Sequence, residues 1–390
     1  MALNLQQVFD KIREIGLGVR ARQQDLDERR EQARKLLATW AGQGAGLRDK
    51  VELAQREDPN LRCALPVEER LDLAVDEPES PDPVTLLAAD GSQIAPDRHA
   101  SLLFSLVNVG AILLEPGSGS APQIFTDSEL FFGDELYTET GLRSAEAVDQ
   151  QRDIAERKKL LELAGLAHGT LIAMTDGPVE LWGAKDAGEG DYRKNLELHK
   201  TVLSQLQARG VTVAGYVDKP GADLLVRSLE IADTPETELK DIRLRHPLRG
   251  VTDRWLFGFL GSGQRSAVFG LQSSSRVHYT GDLSLHFFYL NVGDKLHPAL
   301  ARVEFPRWVA QDGEKLALLQ SALMQQCRVM GARPYPYILH RAHEIAVVSL
   351  EDKQQVELML NLTLRQAGGE VEVPSNKQSA KDLPGRTGRK

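Results

Sequence analysis

VTLLAADGS, residues 84–92, is the stretch on which the reading of this chain turns. Six residues suited to a buried strand, Val84 to Ala89, lead straight into Asp90, Gly91 and Ser92, so an apolar run stops at a carboxylate and a turn signal. The pattern recurs at residues 170–177, TLIAMTDG, where Asp176 and Gly177 close a second apolar run. Each reads as a strand with an acid at its C-terminal end. One Asp-Gly is ordinary turn chemistry. Two are more informative, because a carboxylate at the end of a buried strand projects into a defined crevice, and two together can share a hard divalent cation.

Working outward, residues 101–117 (SLLFSLVNVGAILLEPG) read as one or two strands, and residues 145–167 as a helix with Ile154, Leu160, Leu161 and Leu163 apolar. A helix over 191–210 closed by Gly210, a strand over 211–217 and a helix over 222–231 follow. The order strand, two strands, helix, strand, helix, strand, helix predicts a mixed α/β layer architecture. WLFGFLG, SAVFGLQ, RVHYTGD, LSLHFFYLNVG and ALARVEFP (within 255–306) predict further strands, and helices are expected over 314–330, 339–349 and 352–366. Upstream, Val8, Ile12, Ile15 and Val19 make a helical stripe, followed by the charged RARQQDLDERREQARKLL (20–37) and a glycine-rich break at 42–46. Pro78, Pro81 and Pro83 mark a linker. The expected organisation is a helical N-terminal region with an acidic linker (1–82), an α/β domain (83–374) and a basic tail (375–390).

The chain has 390 residues, 42% hydrophobic and 26% charged, which excludes wholesale disorder. No uninterrupted apolar run reaches membrane-spanning length, and no signal-peptide pattern opens the sequence. Cys63 and Cys327 alone cannot build a disulfide framework or a zinc site, which predicts a cytoplasmic protein. With 47 basic and 56 acidic residues the net charge is −9, which argues against a blanket electrostatic grip on nucleic acid. The charge is uneven, however. Residues 67–82 hold seven acids (Glu68, Glu69, Asp72, Asp76, Glu77, Glu79, Asp82) against Arg70, whereas the tail and KDIRLRHPLRGVTDR (240–254) are basic and available for phosphates.

A third acid would complete a two-cation site, and the helix between the two strands offers Glu156 and Glu162. Glu156 follows Arg152 by four residues, on a face away from Leu160 and Leu163. Strand acid, helix acid, strand acid is the chain order of the ribonuclease H-like nucleases. In that chemistry two cations roughly 3.5–4 Å apart hold the attacking water and the leaving oxygen, and carboxylates neutralise their charge.

Five motifs read together sharpen this. LLAADGSQIAPDRH (86–99), QRDIAERKKLLELA (151–164), LIAMTDGPVELW (171–182), VAGYVDKPGADLLVRSLE (213–230) and PYPYILHRAHEIAVVS (334–349) resemble the NurA family of nucleases, in the family's order. The resemblance implies metal-binding roles for Asp90, Glu156 and Asp176, with Glu162 as the alternative to Glu156. It also draws in Tyr216 and Lys219 near the phosphate, and His343, with His340 as its alternative, to position water or protonate the leaving oxygen. It implies a Mn²⁺- or Mg²⁺-dependent deoxyribonuclease, dimeric, acting in 5′ end resection for double-strand break repair beside HerA, a hexameric ATPase. Arg265, in the loop GSGQRS, is a candidate phosphate contact. That loop lacks the G-x-x-x-x-G-K-[ST] pattern, as does the rest of the chain, so if the DNA must be pulled or unwound another protein has to do it. Two other readings compete: a non-catalytic adaptor of a DNA motor, and a phosphotransferase of the actin and sugar-kinase type, for which the chain shows no domain duplication.

Overall fold

The computed structural model describes residues 3–67, 70–79, 83–100, 102–138, 141–182, 189–294 and 296–368. The chain divides into two compact units, Met1–Glu79 with Tyr216–Met324, and Ser80–Gly215 with Gln325–Lys390. The N-terminal helices thus belong with a later segment of the chain. The sequence expectation sets residues 1–82 apart. Glu68, Glu69, Asp82 and the basic tail lie outside the described residues.

The unit that holds both Asp-Gly motifs begins with the strand Val84–Ile94, paired antiparallel with Phe104–Leu114, which pairs antiparallel with Gln123–Phe132. A parallel partner needs a long crossover. The helix Ala145–Leu166 provides it, started by the Ser144 side chain accepting from the Ala147 amide, and brings Thr170–Asp176 parallel to Val84–Ile94. The helix Glu189–Ala208 then leads to the strand that begins at Thr212, beside Thr170–Asp176. By order of appearance these strands stand 3-2-1-4-5, with the first three antiparallel and the fourth parallel to the first. That is the ribonuclease H-like topology.

Two sequence expectations change here. The apolar run ends at Asp90 but the strand does not: it stays paired with Phe104–Leu114 as far as Ile94↔Leu106, whereas its parallel pairing stops at Ala89↔Thr175. Gln123–Phe132 has no counterpart in the sequence reading. Only Phe125 and Phe131 of its ten residues lose much exposure, so no apolar alternation announces this edge strand.

Two helices cover opposite faces of the Val84–Ile94 and Phe104–Leu114 pair, and glycines set how closely they approach. A Cβ on Gly91 would lie 2.4 Å from Arg152 Cγ and 2.9 Å from Glu156 Oε1, on the crossover helix. On the other face, a Cβ on Gly110 would lie 2.5 Å from the Ala346 nitrogen and 2.8 Å from the Ala342 carbonyl oxygen, both backbone atoms of the helix Tyr337–Ala346.

In the other unit, Cys63–Pro66, Phe269–Gln272, Leu285–Asn291 and Leu300–Pro306 form an antiparallel ladder, and Arg265–Ser266 pairs with Leu285–Asn291 and with Ala74–Val75. WLFGFLG and RVHYTGD are not strands: the first is the short helix Asp253–Leu256 and turns, the second lies in 3-10 turns and their connections. The aromatic residues of WLFGFLG favour a strand, but Asp253 holds its start as a turn. Fully buried, its carboxylate accepts from the amides of Leu225 (2.9 Å) and Val226 (2.9 Å) and from the Tyr289 hydroxyl (2.6 Å). It thereby satisfies first-turn donors of the helix Leu224–Asp233, which its own N-cap leaves without a side-chain acceptor. Beside it, buried Arg227 and Glu230 pair at 2.5 Å, and Leu248 donates to Glu230 at 2.8 Å. The basic stretch 240–254 therefore wraps a buried ion pair, leaving Lys240, Arg243, Arg245, Arg249 and Arg254 exposed, with Arg245 paired to Glu238. At the N-terminus the glycine-rich break is short, since Gly44 already opens the helix Gly44–Glu57. Val8, Ile12, Ile15 and Val19 do share helical spacing, but all remain exposed.

Asp253→Ala should cost about 3 kcal/mol by leaving three buried donors without their acceptor. A urea midpoint for that variant matching the parent would contradict the capping role. Gly110→Ala should destabilise by about 1–3 kcal/mol, because backbone, not a side-chain tip, must move to admit the methyl group. The check is its thermal unfolding against that of Gly42→Ala, a site where a Cβ meets nothing within 4 Å.

Candidate active site

Asp90 and Asp176 lie on neighbouring parallel strands whose register ends at Ala89↔Thr175, so the next residue of each strand is the aspartate. The two carboxylates consequently stand side by side at the point where the parallel pairing stops. Adjacent strands are about 4.8 Å apart, which keeps two like charges in mutual range. Asp176 is exposed at the strand end, yet partial desolvation by the surrounding protein pushes its carboxyl upward, and Asp90 adds to this, opposed by a hydrogen bond from Tyr335 and by the Gly177 amide.

The three residues of the Asp-Gly-Ser motif do three different things. Asp90 Oδ2 accepts from His343 Nδ1 at 2.7 Å. That bond assigns the proton to Nδ1 and leaves Nε2 as the other functional nitrogen of the ring. Gly91 leaves room for Glu156 on the opposite face. Ser92 bonds through its hydroxyl to the Ala346 carbonyl and accepts from the Val348 amide at 3.1 Å, so it fastens the end of the helix that carries His343. Asn108, the register partner of Ser92, donates to the same carbonyl at 2.7 Å and accepts from Ser128 at 2.7 Å. Asn108 is a positioning residue that sequence reasoning missed: one asparagine within an apolar run carries no visible signal.

Of the two helix acids, Glu156 is 4% exposed and faces Gly91, whereas Glu162 is exposed and bridges to Lys159 at 3.0 Å. Burial first, then Asp153 and Asp90, push the Glu156 carboxyl up to about 8, against the lowering pull of Arg157 and Arg152. Arg152 Nε lies 3.3 Å from Glu156 Oε1 and also donates to Gln93 and Asp153. Arg157, also unforeseen, is buried and donates to the Pro178 carbonyl at 3.1 Å, tying the helix to the turn that follows Asp176. Between the two histidines the geometry is equally clear: His343 meets Asp90, while His340 faces Glu344 at 3.4 Å.

The unit thus gathers Asp90, Glu156, Asp176 and His343. Tyr216 and Lys219 belong to the other unit. Tyr216 is buried at 1% exposure; Lys219 is exposed, with a φ of 43° that L side chains rarely adopt. The loop placement of Arg265 is corrected: it lies in a strand at 8% exposure, donates to the Ser266 carbonyl and sits over the Phe288 ring.

Among the described residues, no group of three His, Cys, Asp or Glu side chains is close enough together to hold a metal ion. Glu156 is separated from Asp90 by the strand backbone at Gly91 and turned toward Arg152. The chemistry of the donors nevertheless suits a hard cation. They are carboxylate oxygens, the charged form is disfavoured by burial at Glu156 and by partial desolvation at the exposed Asp176, and Asp90 reinforces both shifts.

Comparison with known proteins adds an independent line. No curated protein sequence matches the chain. Among solved structures, it is similar to the NurA nuclease from Sulfolobus solfataricus, with a TM-score of 0.52 and 10% identity, covering 93% of this chain and 98% of that one. At that identity the likeness speaks for the fold. The catalytic domain of human Endonuclease V is a weaker match, at a TM-score of 0.30 and 13% identity over 74% of this chain and 92% of that one. Endonuclease V of Ciona intestinalis matches at 0.29 and 11%, over 79% and 96%. The family model for the NurA domain matches residues 84–348, from the strand that carries Asp90 to just beyond the helix that carries His343. Matched over more than half its length by that model, the chain belongs to the NurA family of nucleases.

Proposed function

We propose that this protein is a divalent-metal-dependent DNA nuclease, with 5′–3′ exonuclease and single-strand endonuclease activity, working in DNA end resection for double-strand break repair with a HerA-type hexameric ATPase. The observation that carries the reading is the register of the two parallel strands. It sets Asp90 beside Asp176, with His343 bonded to Asp90 and Glu156 across Gly91. Asp90, Asp176 and Glu156 would hold Mn²⁺ or Mg²⁺. When bound, such ions supply Lewis acidity and an activated water for phosphodiester hydrolysis.

The protein's own groups divide the remaining work. Asp90 holds the His343 imidazole by Nδ1, so Nε2 is oriented to accept a proton from water or return one to the leaving oxygen. Tyr335, hydrogen-bonded to Asp176, and Arg152, beside Glu156, position the carboxylates. Tyr216 and Lys219 are assigned to the phosphate by the family motif. Dimer formation is part of the same reading. Two buried thiols, Cys63 and Cys327, suit a reducing compartment such as the cytoplasm.

Incubation of the purified protein with end-labelled single- and double-stranded DNA should give degradation with Mn²⁺ and none with EDTA. Absence of metal-dependent degradation, with and without the ATPase, would leave the adaptor reading in its place. Asp90→Asn should lower the cleavage rate by at least about 10²-fold with an unchanged melting temperature. Full activity in that variant would remove Asp90 from the metal site. Glu156 adds a pH test. Its carboxyl titrates higher in the folded chain than in the unfolded one, so the neutral form is favoured by folding. Metal-free protein should therefore lose stability as pH rises from about 4.5 to about 8. The slope approaches 1.4 kcal/mol per pH unit at most. Glu156→Gln should flatten that slope and melt higher than the parent at pH 8 in EDTA. Parallel pH profiles for the two proteins would refute the buried, raised carboxyl.

A further inference from the structure

The unit built from Met1–Glu79 and Tyr216–Met324 contains a cavity of about 630 Å³ that none of the residues discussed above as catalytic or metal-binding lines. Three guanidinium groups reach it, those of Arg48, Arg276 and Arg307, from three separate parts of the chain. No Asp or Glu is among its described lining residues.

The way the guanidiniums are held matters more than their number. Arg48 Nε donates to the Pro66 carbonyl at 2.8 Å. Arg276 donates to the side-chain oxygens of Gln272 (2.7 Å) and Gln55 (3.1 Å). Arg307 Nε and Nη2 reach the Gln311 amide oxygen at 2.9 and 3.0 Å when that amide is turned to accept. Each is braced by a neutral acceptor, and among the described residues no carboxylate pairs with any of them. An arginine held only for structure is commonly paired with an acid, as Arg227 is with Glu230 and Arg302 with Glu304 elsewhere in this unit. Among the described residues, three positive charges are thus oriented without a paired carboxylate in one cavity, the arrangement that focuses a field on an incoming anion.

The rest of the lining limits what that anion carries. Leu65, Pro66, Leu271 and Leu285 provide apolar wall. His286 Nδ1 bonds to the Ser284 carbonyl at 3.0 Å, which places the proton on Nδ1 and makes Nε2 of the neutral ring an acceptor. Burial, together with Arg307 and Arg276, holds His286 below its usual range, which keeps it in that neutral form. A polyvalent anion next to an apolar, acceptor-bearing wall describes a phosphate attached to a base, and the volume suits a small ligand. We propose that this cavity is a nucleotide-phosphate site, separate from the carboxylate cluster, which binds a nucleoside 5′-phosphate through Arg48, Arg276 and Arg307. The source is a free mononucleotide or the 5′-phosphorylated end of a strand.

The test is calorimetric titration of the full chain in EDTA, in which neither cleavage nor metal loading contributes. The result is thus independent of whether the protein is a nuclease. Deoxyadenosine 5′-monophosphate should bind and deoxyadenosine should not. Arg276→Gln and Arg307→Gln should each weaken binding roughly tenfold. Arg307 is exposed, so its variant is the one expected to keep the parent's cooperative melt if Arg276→Gln does not. A 5′-phosphorylated oligothymidylate is compared with its 5′-hydroxyl form and with the mononucleotide. Preference for the phosphorylated end identifies strand ends as the source, and preference for the mononucleotide identifies free nucleotides. The proposal is overturned if millimolar nucleotide gives no heat with the parent, or if it binds the folded Arg307→Gln variant as tightly as the parent.

Discussion

Everything in the proposed catalytic unit depends on the register between Val84–Ile94 and Phe104–Leu114. That ladder sets Asp90 opposite Gly110 and Ser92 opposite Asn108. Because side chains of a strand alternate, these four residues share one face, the face on which the helix Tyr337–Ala346 lies. Gly110 admits the helix backbone, Ser92 and Asn108 bind its last carbonyl, and Asp90 receives its histidine. A slip of one residue would turn all four away together. The histidine's position is thus decided about 250 residues away in the chain, by a pair of strands that close early.

The same economy holds on the other face. Glu156 reaches the strand only because Gly91 has no side chain, and its burial there raises the cost of its charge. Arginines at 152 and 157 offset part of that cost, one beside the carboxylate and one fastened to the turn after Asp176. A buried carboxylate whose neutral form neighbouring acids favour is a poor element of stability. It is well suited to a cation, whose charge favours its ionised form. The unit thus accepts a local electrostatic penalty at the place where the proposed chemistry needs negative charge.

A net charge of −9 argues against a blanket electrostatic grip on nucleic acid. The structure changes the terms in two ways. The stretch 240–254 keeps exposed arginines, yet part of its charge is answered by Glu238 and its backbone is committed to the buried Arg227–Glu230 pair. Conversely, three arginines scattered at 48, 276 and 307, which no local charge count would single out, come to line one cavity. Local charge density in sequence and usable positive potential are different quantities, because the second depends on which acids fold against which bases.

From the sequence alone, hydrophobic runs determined where strands and helices of the catalytic unit form, since burying such runs is the largest favourable term available to them. It also determined which acids sit where those runs stop, and the five motifs carried the family. Edge strand Gln123–Phe132 leaves no apolar signal because its residues are mostly exposed, and WLFGFLG departs from its aromatic strand preference because a buried carboxylate 28 residues after its partner amide overrides it. Tertiary structure alone buried Glu156 against Gly91 and left Glu162 exposed, bonded His343 to Asp90 and turned His340 to Glu344, set Asn108 and Arg157 against neighbouring backbone, and buried Arg265. The reason is physical. Which polar group is buried, and against what, is a property of contacts between segments distant in sequence, and no local pattern encodes it.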